Sequence, residues 1–220
     1  MKSKNYYELN KRIHSILLNP YMNIEDFEIN CNLIKKYKIK NISTSLIFLK
    51  PLRDVFSQQG LKINTFISYP FGDIPMDFIK NFIYYAKDNG ADGIEYTPKF
   101  FSLSKNDEDN FAKDIEHILN IGLPTTLIFN EKKLHPEIFS QALKISIEVG
   151  IVNFQFGDGF GPPIEIIDIE KIIEFLGKHY FIKIVGGIKN LKQVINILDK
   201  GVDCVGSSNF HNIFMEIEKS

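Results

Sequence analysis

Short runs of β-branched and aromatic residues alternate along the chain with longer segments whose apolar positions recur at helical spacing. The short runs fall at 13–18, 41–45, 62–68, 93–97, 125–129, 153–156, 181–185 and 203–207, and predict eight strands. Several of the segments between them carry helix punctuation. Asn23, with Asp26 three residues on, reads as an N-cap with an acidic first turn, ahead of Phe27, Cys31 and Ile34 on one face. Pro75 suits the first turn of a helix over 76–88 that stops at Asn89-Gly90. Pro136 opens a helix over 137–149 closed by Gly150, and Asn190 caps one over 191–200 closed by Gly201. Eight strands, each followed by a helix, predict an α/β fold: a single-domain (β/α)8 TIM barrel over residues 1–220, with the barrel proper at about 12–217. A doubly wound open sheet uses the same alternation with fewer strands and is the competing architecture.

Composition narrows the functional classes. The 220 residues are 44% hydrophobic and 24% charged, an ordinary balance for a chain with a sizeable core. Lysine plus arginine (26) nearly cancels aspartate plus glutamate (27), which gives no electrostatic reason to expect nucleic acid or an acidic membrane as partner. Cys31 and Cys204 are too few for a disulfide framework, and the N-terminus has no apolar signal core, so a cytoplasmic location is expected. No stretch approaches the roughly 18 apolar residues of a membrane helix.

In such a barrel the chemistry collects where strands end and the following loops begin. Gly186-Gly187 closes the seventh strand and Gly206-Ser207-Ser208 the eighth, the place where barrels of this type bind phosphate on backbone N–H groups and a helix N-terminus. Tight corners alone would also account for those glycines. Lys183 lies inside the apolar run Phe181-Ile-Lys-Ile-Val185, where an ammonium needs a partner. Glu95, in Gly93-Ile-Glu-Tyr-Thr97, is the natural counterpart, since both alternate toward the barrel interior. The pair reads as a catalytic lysine and carboxylate, with a structural ion pair as the plain alternative. The five histidines show no metal-binding spacing, so no metal or other cofactor is expected. His117, His135 and His179 read as solvated, His14 could face either way, and Asp158 reads as a turn residue.

At these strand ends the sequence resembles the deoxyribose-phosphate aldolase family, from about His14 to Ser208. The matching pieces are Leu17-Leu18-Asn19-Pro20 (family LLKP), Ser68-Tyr69-Pro70-Phe71-Gly72 (GFPLG), Gly90-Ala91-Asp92-Gly93-Ile94-Glu95 (GADEID), Gly159-Phe160-Gly161-Pro162 (GFGP), Lys183-Ile-Val-Gly186-Gly187-Ile188 (KASGGI) and Gly206-Ser207-Ser208. The resemblance implies a barrel lyase that cleaves a phosphorylated sugar through an imine on a sixth-strand lysine. It places Gln155 at that nucleophile, matches the family's seventh-strand lysine with Lys183, and matches its fourth-strand aspartate with Glu95. It also puts Gly159, Gly186, Gly187, Gly206, Ser207 and Ser208 around the phosphate.

A carboxamide cannot form an imine, and no lysine lies between Lys144 and Lys171 to replace it. Lys183 could substitute only as a neutral amine. Asp158, in the loop near the expected phosphate, introduces a charge that would repel the ligand. The leading expectation is therefore an aldolase-type lyase for a small carbonyl compound or sugar phosphate, built on Lys183, Glu95 and Gln155. The alternatives are a degenerate binder of a phosphosugar-like ligand, or an isomerase or epimerase with Glu95 as base and Lys183 steadying an enolate. The sequence leaves substrate identity and a homodimer open.

Overall fold

A computed structural model describes residues 8–57 and 60–219; residues 1–7, 58–59 and 220, which the single-domain expectation included, lie outside the described residues. The strands are β1 (Ile13–Leu17), β2 (Asn41–Thr44), β3 (Lys62–Ile67), β4 (Gly93–Tyr96), β5 (Thr125–Phe129), β6 (Asn153–Phe156), β7 (Phe181–Val185) and β8 (Cys204–Ser207). They pair in sequence order, all parallel, and β8 returns to β1 through Ile13 opposite Val205 and Ser15 opposite Ser207, which closes the barrel. The open-sheet alternative is thereby excluded. Four strands stop one residue short of the predicted ends, and β8 begins at Cys204 because Asp203 turns its carboxylate back to accept from the Ile182 N–H.

Helix ends follow the local signals. Helix α2 (Ile24–Lys36) starts in a full capping box, with the Asn23 side chain accepting from Asp26 N–H and the Asp26 carboxylate accepting from Asn23 N–H. Pro136 sits at the first turn of α7 (Pro136–Glu148) as expected. Pro75, by contrast, occupies the N-cap of α4 (Met76–Asp88), with extended backbone (φ −60°, ψ 144°), one position earlier than expected. The helix predicted over 191–200 closes sooner, at α9 (Leu191–Leu198), where Asp199 is already the C-cap. A short helix, α1 (Leu9–Arg12), precedes β1, and α3 (Leu49–Phe56), α5 (Phe101–Ser104), α6 (Glu108–Leu119), α8 (Ile166–Leu176) and α10 (Phe210–Glu218) complete the outer ring.

The described residues form two apolar clusters of different kinds. The larger lies between barrel and helices, where the outward strand residues meet one face of each amphipathic helix. The smaller lies inside the barrel: Ile16, Phe66, Ile128 and Val185, one residue from each odd-numbered strand, form a single layer across the bore. That layer decides how the site is built.

Candidate active site

Register fixes which side chains share the bore. Lys183 pairs with Gln155 across β6–β7, Glu95 with Phe66 across β3–β4, and Ile16 with Ser43 across β1–β2, so all six project inward. Lys183 precedes Val185 by two residues on β7, and its ammonium therefore lies beneath the apolar layer. There its Nζ is 2.7 Å from Glu95 Oε1 and 2.9 Å from Ser43 Oγ, while Ser43 Oγ donates to the same carboxylate oxygen at 2.7 Å. Both charged side chains are only 1% exposed. Lys183 and Glu95 meet directly inside the barrel as expected, and Ser43, for which no role was expected, touches both.

Three buried polar atoms at or near this pair have no hydrogen-bond partner among the described residues: Glu95 Oε2, Gln155 Oε1 and His14 Nδ1. Gln155 donates instead to its own loop, from Nε2 to the Gly157 carbonyl at 3.1 Å. His14 turns inward and is buried. Burial, with the nearby Lys183 and Lys62 ammonium groups adding to it, holds its pKa well below the usual 6.5, so the folded protein keeps it neutral. The unfolded chain takes up that proton below about pH 6.5 and the folded one does not, so stability falls with pH there by about 1.4 kcal/mol per unit for this group. Urea midpoints at pH 7 and pH 5.5 should drop less in His14→Asn than in the unsubstituted protein; equal drops would show that His14 is protonated in the fold.

Above the layer the mouth is divided. A cavity of about 610 Å³ lies over β6–β8, lined by Gly159, Gly186, Gly187, Gly206, Ser207 and Ser208, with Ile16 and Val185 as its floor. Every residue the sequence placed around an anion is there. Gly187, with φ of +69° and packed closely on Pro163, admits no side chain, since a Cβ would lie 2.7 Å from Pro163 Cβ. The Ser207 hydroxyl is engaged within the corner, donating to Ile188 O at 2.6 Å and accepting from Asn209 N–H at 3.0 Å, so it shapes the loop. The N-terminus of α10 opens on this cavity through Asn209 and carries no side-chain cap. Lys189, exposed and without an ion pair among the described residues, also lines it; the sequence signal was the Gly-Gly-Ile-Lys run, which had been read only for its glycines.

A second cavity, about 270 Å³, lies over β4–β6 and includes Thr97, Asn130, Lys133 and Asp158. The two are separated by Tyr69, whose hydroxyl donates to the Asp158 carbonyl and whose ring packs on Phe66 at 4.5 Å between centroids. Burial, with the Asp158 and Glu95 carboxylates, pushes the Tyr69 phenol up, which keeps it a donor. Asp158 does form the expected turn, its Oδ1 accepting from Phe160 N–H at 2.9 Å. The charge that was expected to repel a ligand has a partner, since Lys133 Nζ lies 2.8 Å from Asp158 Oδ2. His117, His135 and His179 are exposed on the outer surface, and both cysteines are free thiols buried away from the mouth cavities.

The chain and its barrel are similar to known proteins. The chain is 22% identical over 217 residues to deoxyribose-phosphate aldolase of Dictyoglomus turgidum, covering 93% of this chain and 95% of that one. It is 25% identical over 211 residues to the enzyme of that name from Mycoplasmopsis pulmonis, covering 92% and 93%. The chain resembles the deoxyribose-phosphate aldolases. The barrel superposes on the solved structure of the aldolase QR15 with a TM-score of 0.87 at 19% identity, covering 96% of each chain. Deoxyribose-phosphate aldolase from Aeropyrum pernix, described as a tetramer, gives 0.85 at 16% identity over 96% of this chain and 91% of that one. No protein-family model matches the chain.

Proposed function

We propose that this protein is an aldolase-type carbon–carbon lyase for a small phosphorylated carbonyl compound, whose anionic end sits over β7 and β8. The observation that carries this is the 610 Å³ cavity, in which the Gly186-Gly187 corner, the uncapped start of α10 and the Lys189 ammonium converge. Backbone N–H groups and a helix N-terminus favour an anion, and a cation beside them adds to the attraction. Similarity to named aldolases over nine-tenths of the chain supports the reaction class. In this reading the carbonyl end lies toward the Tyr69 side of the mouth, and Lys183, Glu95 and Gln155 form a polar layer beneath the apolar floor of Ile16 and Val185.

The direct test is cleavage of 2-deoxyribose 5-phosphate and related sugar phosphates, followed by aldehyde release. Lys189→Ala is expected to weaken sugar-phosphate binding about fivefold, on the order of 1 kcal/mol for an exposed charge. Titration calorimetry checks it, and unchanged affinity would remove the anion from this corner. The layer of Ile16, Phe66, Ile128 and Val185 over Lys183 favours a second reading, a binder that no longer turns its ligand over. Thermal stabilisation by sugar phosphates with no aldehyde release and no solvent deuterium entering the ligand is its signature. Deuterium uptake without cleavage would instead mark an isomerase or epimerase.

A further inference from the structure

If the chain is an aldolase, its reacting amine must be one that a carbonyl compound can reach. Lys183 is not such an amine: it is 1% exposed, bonded to both Ser43 and Glu95, and covered by the apolar layer. Gln155 has no amine. Lys133 is reachable, because it lines the 270 Å³ cavity over β4–β6 and its side chain is 46% exposed.

The loop after β5 delivers it there. Asn130 Oδ1 accepts from Lys132 N–H, and the Asn130 carbonyl accepts from both Lys133 and Leu134 N–H, all at 3.1 Å, which fixes the turn. The two consecutive lysines are then sent opposite ways. Lys132 pairs with Asp168 on α8 at 2.6 Å, whereas Lys133 leans over the β6 loop to Asp158. The Asp158 side chain is 6% exposed and held by the Phe160 N–H. Nearby, Thr97 is 4% exposed, lines the same cavity, and its Oγ1 has no hydrogen-bond partner among the described residues. A buried hydroxyl without a partner is costly and calls for one from a ligand. Phe100 and Leu134 form apolar walls, so the cavity offers one amine, one carboxylate, one hydroxyl and the Asn130 carboxamide in a mostly apolar setting.

We infer that Lys133, relocated to the loop after β5, is the amine that captures the carbonyl carbon of a small hydroxylated aldehyde or ketone as an imine, with Asp158 carrying its proton and Thr97 holding a ligand oxygen. The step balances without a co-reactant. The ammonium gives a proton to the Asp158 carboxylate, the freed nitrogen pair forms the C–N bond, and the carbonyl oxygen takes that proton. Loss of this oxygen as water, with the second nitrogen proton, leaves the protonated imine; ammonium plus carbonyl becomes iminium plus one water. This assignment rests on the aldolase reading but is tested without turnover.

The experiment is reduction with sodium cyanoborohydride in the presence of glycolaldehyde, with peptide mass mapping of every lysine. Labelling of Lys133 is expected to exceed that of the surface lysines Lys192 and Lys219 at least tenfold, and to fall to their level in Thr97→Val and Asp158→Asn. Circular dichroism checks that both variants fold, and the unchanged labelling of Lys192 and Lys219 is the internal standard. A Lys133 no faster than those two, or an adduct on Lys183, overturns the assignment. Sugar-phosphate cleavage that survives in Lys133→Met overturns it as well, while selective labelling with no cleavage of any sugar phosphate would count against the lyase reading and leave the amine assignment standing.

Discussion

Replacing Glu95 by glutamine is expected to lower stability by about 3–5 kcal/mol, because it leaves the Lys183 ammonium uncompensated under the apolar layer. For a domain of this size that corresponds to a loss of roughly 6–20 °C in melting temperature. Lys183→Met, which orphans the carboxylate instead, should cost a similar amount. The double variant Lys183→Met, Glu95→Gln is the informative one. Removing both charges ends the electrostatic conflict, and buried ion pairs are often replaced by apolar groups at little net cost or with a gain. Thermal melts of the two singles and the double therefore close a cycle, with coupling expected at about 3 kcal/mol or more. Additive losses would mean that the two groups do not depend on each other, and the polar layer would then need another explanation. Ser43→Ala should cost less, about 1–3 kcal/mol, since Lys183 and Glu95 keep each other when the bridging hydroxyl is gone.

Gly206→Ala is the second substitution with a large expected effect, and it acts on the same place from another side. A Cβ there would lie 2.8 Å from Val185 Cγ2, 2.9 Å from Ile16 Cδ1 and 3.0 Å from Lys183 Cε. Gly206 thus makes room inside the bore for the lysine stem as well as bordering the anion cavity. An added methyl forces the layer and the ammonium to shift together, at a cost of about 1–3 kcal/mol in a well-packed interior. The denaturation midpoint measures the loss. Combining Gly206→Ala with Lys183→Met, which frees the end of the stem, should give less than the sum of the two costs. A midpoint unchanged by Gly206→Ala alone would mean that the bore is looser than these distances allow.

The eight strands and most helix ends were legible because each is written locally: β-branched runs between a capping Asn or Pro and a terminating Gly. The inward alternation of Lys183 and Glu95 was legible for the same reason, since a strand has a period of two. The convergence of Gly159, Gly186, Gly187, Gly206, Ser207 and Ser208 on one cavity followed from strand order alone once the barrel was granted. Three features were not legible. Ser43 reaches Glu95 across 52 residues of sequence, Lys133 reaches Asp158 across 25, and Ile16, Phe66, Ile128 and Val185 meet only when four separate strands surround one bore.

The sequence alone determined where the backbone becomes strand or helix and which residues the alternation turns inward, since propensity, capping and side-chain period act over a few neighbouring positions. Only the closed barrel decided how those inward residues stack. Strand tilt and register set the height of each side chain along the bore, and that height put the Lys183 ammonium beneath an apolar lid while leaving the Lys133 amine in the open mouth.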